Sequence, residues 1–164
     1  MFIKVYFLIM PTLHIICGVP GSGKSTLAKK IASEQSALRL TPDEWMDRIV
    51  GDGFNEDKRL VVEEMQCELA EQALKLGVSV VLENGFWTRV ERDVMREMAK
   101  RVGAAVRVYY FDVTREEIWR RLQLRNENLP PHTFPIDETR LDEALRFFEV
   151  PTADESQIVR VVPW

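Results

Sequence analysis

Eight consecutive residues, Gly18-Val19-Pro20-Gly21-Ser22-Gly23-Lys24-Ser25, satisfy the pattern G-x-x-x-x-G-K-[ST] at every fixed position, and Thr26 follows. Glycines let a backbone fold around an anion with its N–H groups turned inward, and a helix that starts there adds the positive end of its dipole. Lys24 is placed to neutralise β and γ phosphate charge, and Ser25 to set its hydroxyl on magnesium. The expected ligands are therefore ATP and Mg2+, held by Gly18 through Thr26 with Ser25 as the metal ligand.

Four other positions carry groups that could act on a phosphate. Asp43 stands just beyond a short apolar run, where a carboxylate could accept the proton of an acceptor hydroxyl. An acid in the first turn of a helix is also simply favoured by the dipole. Glu83 ends a second apolar run beside Asn84-Gly85, suited to magnesium through water or to the acceptor. Arg121 and Arg125 are four apart, share a helix face and could clamp a transferring phosphoryl group; Arg120 points elsewhere. Pairing of these arginines with Glu117 or Glu127 is the plainer alternative. His132 reads as a solvent-facing loop residue and His14 as structural. Trp45, Trp87 and Trp119 could line a pocket or simply fill the core.

These groups need elements to hold them. TLHIIC (12–17) reads as a strand and KSTLAKKIASEQ (24–35) as a helix with Leu27, Ile31 and Ala32 on one side. SALRL follows as a strand, and TPDEWMDRIV opens a helix with Thr41 as cap, Pro42 at the first position and Glu44 completing a capping box. A long helix runs from Glu56 to Leu76 carrying Leu60, Val61, Met65, Leu69 and Ala73, stopped by Gly77. VSVVLE is a strand. Thr88 with Glu91 and Thr114 with Glu117 are two further capping boxes, on either side of the strand AVRVYYFD. Asp137 caps a last helix through Phe148, and QIVRVV closes as a strand. Five mostly continuous apolar strands separated by helices predict an α/β fold of three layers, a parallel sheet covered on both faces.

The chain has 164 residues, 46% hydrophobic and 29% charged, enough for one core in one domain. That leaves no room for the extra parts of a ring-forming or transporter ATPase. Cys17 and Cys67 form no CxxC pair, so a reducing, cytoplasmic setting without a zinc site is expected. The apolar run Val5 to Met10 is short for a signal core and too short to cross a bilayer, so no membrane role is expected. Residues 1–11 are set apart as an N-terminal extension, either an extra strand or sequence upstream of a start at Met10, before a single domain at 12–164. Within the class of nucleotide-binding domains, an N-K-x-D guanine signature and an LSGGQ transporter signature are both missing. The strand ends VVLEN and VYYFD lack the acidic pair of a motor ATPase. A small phosphotransferase remains, with a lid around 119–136.

Four stretches, GVPGSGKST, the Asp43 region, VVLENGFWTRVERD and RNENLPPHTFPIDETRLDEALRFFEVPTADE, resemble the P-loop kinases of the polynucleotide kinase and zeta-toxin type. The last resembles the family's lid and tail through Arg125, Asn126, Phe148, Glu149, Pro151, Thr152 and Glu155. The resemblance covers Thr12 to Val162. It implies a five-stranded parallel sheet with the loop-bearing strand in the middle, ATP as donor, adenine near the lid and tail, and Asp43 as general base. Lys24, Asp43, Arg121 and Arg125 then form the expected catalytic set. The sequence departs from the polynucleotide kinases where Trp45 and Met46 replace an arginine after the aspartate, where the lid lacks a second basic residue, and where strand three ends in Glu83. Together with a net charge of −4, this favours a small hydroxyl compound as acceptor over a nucleic acid end. Alternatives are a nucleotide-binding regulatory ATPase or toxin-like partner protein, and a nucleic acid 5′-hydroxyl kinase. A monomer or weak dimer is expected.

Overall fold

A computed structural model describes residues 10–161. The readings made for residues 1–9 lie outside the described residues. Five parallel strands form one sheet in the order β2-β3-β1-β4-β5, so the loop-bearing strand is central as expected. The strands are β1 (Thr12–Cys17), β2 (Leu38–Leu40), β3 (Val80–Gly85), β4 (Ala105–Phe111) and β5 (Ile158–Val161). The helices are α1 (Lys24–Gln35), α2 (Pro42–Trp45), α3 (Glu56–Lys75), α4 (Arg89–Arg101), α5 (Arg115–Glu127) and α6 (Glu138–Phe147); a π-helical turn, Met46–Val50, continues α2.

Alternation along β1 builds the layers. Leu13, Ile15 and Cys17 face one side, with Val80, Leu82, Val106 and Val108, against Ala70, Ala73 and Leu74 of α3 and Met95, Met98 and Ala99 of α4. Ile16, with Val81, Tyr109 and Phe111, faces the other side against Ala28 and Ile31 of α1. A third cluster joins Val19 of the loop after β1 to Ile118 and Leu122 of α5 and Leu141 and Ala144 of α6. Both faces of the sheet are thus covered, and every strand ends toward the same rim.

Several local expectations change. β2 begins at Leu38, two residues later than the SALRL reading. Thr41 makes no side-chain cap bond, and the Glu44 carboxylate that would complete the box is drawn to Arg39, 2.8 and 2.6 Å from its two terminal nitrogens. Thr114 accepts from the Glu117 amide, but the Glu117 carboxylate turns to Arg120 and Arg121, so only half of that capping box forms. The Thr88–Glu91 box forms in both directions. On α3, Leu60, Val61, Met65 and Leu69 are exposed, and the buried face is Val62, Gln66, Ala70, Ala73 and Leu74. The helix lies close to the sheet through small residues, which places bulk outward. His14 is fully buried, with Nδ1 3.1 Å from the Tyr109 hydroxyl. Burial, aided by Arg107, pulls its imidazole down to about 4, so it is a neutral structural residue.

Candidate active site

The phosphate loop spans the gap from the end of β1 to the start of α1. Its glycines are conformationally required at two positions: Gly21 has φ 80° and Gly23 φ 108°, a region that side chains with Cβ avoid. Gly21 is also sterically closed, since a Cβ there would lie 2.8 Å from Leu122 Cγ on α5. The loop is anchored by the Gly18 amide on the Gly85 carbonyl at 2.9 Å. Asn55, Thr88, Thr114 and Asp137 cap α3 to α6 with side chains, whereas Gly23 leaves the first amides of α1 uncapped. Uncapped amides, no acid in the first turn of α1, and the buried, unpartnered Ser22 hydroxyl make a cradle that fits a phosphate.

Lys24 folds back on its own loop, its ammonium donating to the Val19 carbonyl at 2.9 Å. Burial lowers its pKa, while Glu83 and Asp43 pull the other way and Arg125 adds to the lowering. That set of influences brings together four residues from four separate parts of the chain. Ser25 Oγ donates to Glu83 Oε1, so the hydroxyl expected on magnesium touches the strand-end carboxylate. Ser25 and Glu83 supply hard oxygen donors that fit magnesium. Among the described residues no cluster of three or more His, Cys, Asp or Glu forms a cage.

Asp43 lies on the rim at the first turn of α2. Its carboxylate accepts from Arg59 Nη2 at 2.7 Å, and the same arginine donates to the Gly53 carbonyl at 3.0 Å and lies 3.7 Å from Glu63. Arg39 holds the second Glu83 oxygen at 3.2 Å. Neither Arg59 nor Arg39 was legible as a site residue. Arg59 stands sixteen positions from Asp43 with no motif joining them, although an arginine at the start of a long helix beside an acid-ended rim is the signal that could have been read.

The two arginines expected on a lid diverge. Arg125 is half-buried and donates to the Phe134 carbonyl at 3.1 Å, with its Nε unpartnered. Burial lowers its pKa and Asp43 opposes, placing its charge in range of that carboxylate. Arg121 Nε is held by Glu117 at 2.7 Å, and Arg120 grips the same carboxylate at 2.7 and 2.9 Å. Arg121 is therefore engaged along its own helix. His132 is not merely solvent-facing: its Nδ1 lies 2.7 Å from Asp47 on the π-helical turn. Trp45 packs on the α3–α4 side of the core, and Trp87 and Trp119 on the α5–α6 cluster.

The tail has its own buried centre. Arg92 grips Glu155 twice, at 2.8 and 2.7 Å, with the two side chains 0% and 1% exposed. Arg92 also donates to the Phe86 and Trp87 carbonyls, just past the end of β3. The Arg89 amide donates to Glu149 at 2.6 Å. The F-E-x-P-T-x-x-E stretch thus straps the tail to the start of α4.

Over residues 13–151 the sequence matches a family described as AAA domain. The fold is similar to a gluconokinase from Sinorhizobium meliloti 1021, with TM-score 0.63 and 23% identity over 93% of this chain and 83% of that one. It is similar to the APS kinase CysC of Mycobacterium tuberculosis, with TM-score 0.62 and 19% identity over 94% and 89%. A chain of the Pnkp1/Rnl/Hen1 RNA repair complex gives TM-score 0.68 and 22% identity, over 84% of this chain and 44% of that one. No curated protein sequence matches the chain. Among the described residues no helix is long and apolar enough to cross a membrane.

Proposed function

The chain belongs to the AAA domain family (AAA_33), and from that premise we propose that it is an ATP-dependent phosphotransferase acting on a hydroxyl of a small, uncharged acceptor. The observation that carries the reading is the phosphate loop itself, with the uncapped first amides of α1 and a buried, unpartnered Ser22 hydroxyl, beside which Ser25 donates to the strand-end carboxylate of Glu83. Lys24 and the uncapped amides of α1 bind the phosphates. Ser25, with Glu83 beside it, would hold magnesium, which supplies charge neutralisation on the phosphate oxygens when bound. Asp43 takes the acceptor proton, and Arg125 faces the oxygens over which charge spreads. Arg121 has a secondary part, because Glu117 already engages it.

Charge at the rim argues for an uncharged acceptor. Arg59 is matched by Asp43 and Glu63, and Arg39 by Glu44 and Glu83. Arg125 keeps a charge in range of Asp43 with no ion pair among the described residues, and the reading gives it to the transferring phosphoryl group; together with the net charge of −4 this supports a sugar-like or nucleoside-like hydroxyl compound over a nucleic acid end. The kinases among the similar folds agree with the reaction class.

A panel of polyols, sugars and nucleosides, each incubated with ATP and magnesium, tests this by mass gain of one phosphoryl group, with Lys24→Ala as the blank. On the accepted compound, Asp43→Asn should lower kcat by about 100-fold or more while ATP affinity holds. Unchanged turnover in both Asp43→Asn and Arg125→Ala would remove the catalytic assignment.

A further inference from the structure

We propose that Phe134, seated on Gly53 and Phe54, is a positioning residue that ties the Arg125 lid to the loop leading into α3, whose Arg59 holds Asp43. This rests on the phosphotransferase reading above and extends it to how the two halves of the site are brought into register.

The contacts are continuous. The segment after α5 crosses to the loop between the π-helical turn and α3, where the Phe134 ring lies directly over Gly53: a Cβ on Gly53 would fall 2.2 to 2.3 Å from ring atoms. Only a residue without a side chain allows this approach. Phe54 meets Phe134 at a centroid separation of 5.8 Å, tilted by 58°, and the Arg140 guanidinium of α6 lies over the Phe54 ring, 3.8 Å from its centroid. A second tie lies on the outside, His132 to Asp47 at 2.7 Å; His132 holds a left-handed φ of 61° there, a conformation kept by its surroundings.

Each end of this contact touches the chemistry. The Phe134 carbonyl accepts from Arg125, and the Gly53 carbonyl accepts from Arg59, which holds Asp43. Displacing Phe134 from Gly53 therefore moves the carbonyl that orients Arg125 and frees the carbonyl side of Arg59. A lid arginine pinned through its own loop to the acceptor-side loop is in place only when the two loops meet. Phe134 acts through Arg125 and touches no reacting atom.

The test reads the clamp without needing the acceptor. Fluorescent ADP is titrated into the full chain with and without aluminium fluoride, which stands in for the transferring phosphoryl group, and magnesium is present throughout. Wild type should bind more tightly with the fluoride, and Arg125→Ala should lose that gain. Phe134→Ala should lose about 10-fold of the gain while its affinity for ADP alone stays within about 2-fold, a coupling in the usual range. Phe134→Leu should keep part of it, and Gly53→Ala should behave like Phe134→Ala. Amide exchange in the nucleotide-free protein should rise together in 51–54 and 130–136 for Phe134→Ala. A gain that survives Phe134→Ala overturns the positioning role alone. A wild type that shows no gain, or does not bind ADP, overturns the phosphotransferase reading as well.

Discussion

Replacing Glu155 by Gln should cost more stability than any other single change outside the apolar core. Glu155 is 1% exposed and faces a fully buried Arg92 through two bonds of 2.7 and 2.8 Å. It also accepts from Arg96 at 2.9 Å and from the Thr152 amide at 3.2 Å. Removing one charge of a buried pair leaves the other uncompensated, at a typical cost of about 3 to 5 kcal/mol. The same pairing acts on titration: hydrogen bonding by Arg92 holds the Glu155 carboxyl down at about 2, against an ordinary 4.5. Gln keeps some of the bonds, and Arg92 keeps the Phe86 and Trp87 carbonyls, so the lower end, about 3 kcal/mol, is expected.

For a chain of this length that loss should lower Tm by about 10 °C. The assay is thermal and urea unfolding at pH 7, repeated from pH 7 to pH 2. Because the folded value lies below the unfolded one, the stabilisation is fully present above about pH 4.5 and is lost as pH falls toward 2. Wild type should therefore shed stability across that window more steeply than Glu155→Gln, and the two curves should converge in acid. A Glu155→Gln protein within about 1 kcal/mol of wild type at pH 7, or parallel pH curves, would refute the reasoning. A double change of Arg92 and Glu155 to Met and Leu separates loss of the pair from an unpaired charge, and should recover most of the stability.

Three further outcomes follow from local geometry. Burial pushes the Glu63 carboxyl up to about 7, with Arg59 opposing and Glu91 and Asp43 reinforcing; its folded value is above the unfolded one, so wild type loses stability as pH rises from about 4.5 to about 7. With its side chain 28% exposed, Glu63→Gln should gain about 1 kcal/mol at pH 8 and nothing at pH 4, read by thermal melts at both. Gly21→Ala combines a φ of 80° with a contact at 2.8 Å to Leu122, so it should lose about 1 to 2 kcal/mol and weaken ADP binding in titration; an unchanged melt and unchanged affinity would contradict the loop geometry. Burial raises both Cys17 and Cys67 to about 11, leaving on the order of one thiolate in ten thousand near neutral pH, so iodoacetamide should label the native protein far more slowly than the urea-unfolded chain.

What was legible in the sequence was what local chemistry decides. β1 and α1 fall on the residues that period and motif predict; the parallel sheet follows from continuous apolar runs, whereas the central place of β1 was implied by the family resemblance. Capping boxes were legible only where nothing competed. Glu91 has Arg89 and Arg92 on its own turn, but Asp93 and Asp154 engage the first and Glu155 the second, so its box closes. Glu44 has Arg39 and Glu117 has Arg120 and Arg121, and a charge-assisted bond to a guanidinium outcompetes a bond to a backbone amide. The face of α3 was misread for a different reason. A pattern weighted by side-chain bulk looks for Leu, Met and Val, whereas a helix laid closely on β3 needs Ala70 and Ala73 beneath it and turns the large residues out.

The same contrast explains the site. Lys24 and Ser25 were readable because a phosphate loop is contiguous: its donors come from consecutive residues, and spacing alone specifies them. Asp43, Glu83 and Arg125 were readable as candidates because each ends or follows an element that the sheet order carries to the rim. Arg59, Arg39 and Phe134 were not, because their roles exist only as partners of groups far along the chain. Arg59 acquires its meaning from Asp43 and Gly53, and Phe134 from a glycine that would otherwise pass as a loop residue. In a fold where every strand delivers to one edge, residues at strand ends can be assigned from topology, while those that set the distance between two loops have to be found from contacts. The proposed acceptor side is framed by such loops, whereas the phosphate loop is contiguous in sequence, so the sequence points more firmly to the donor than to the acceptor.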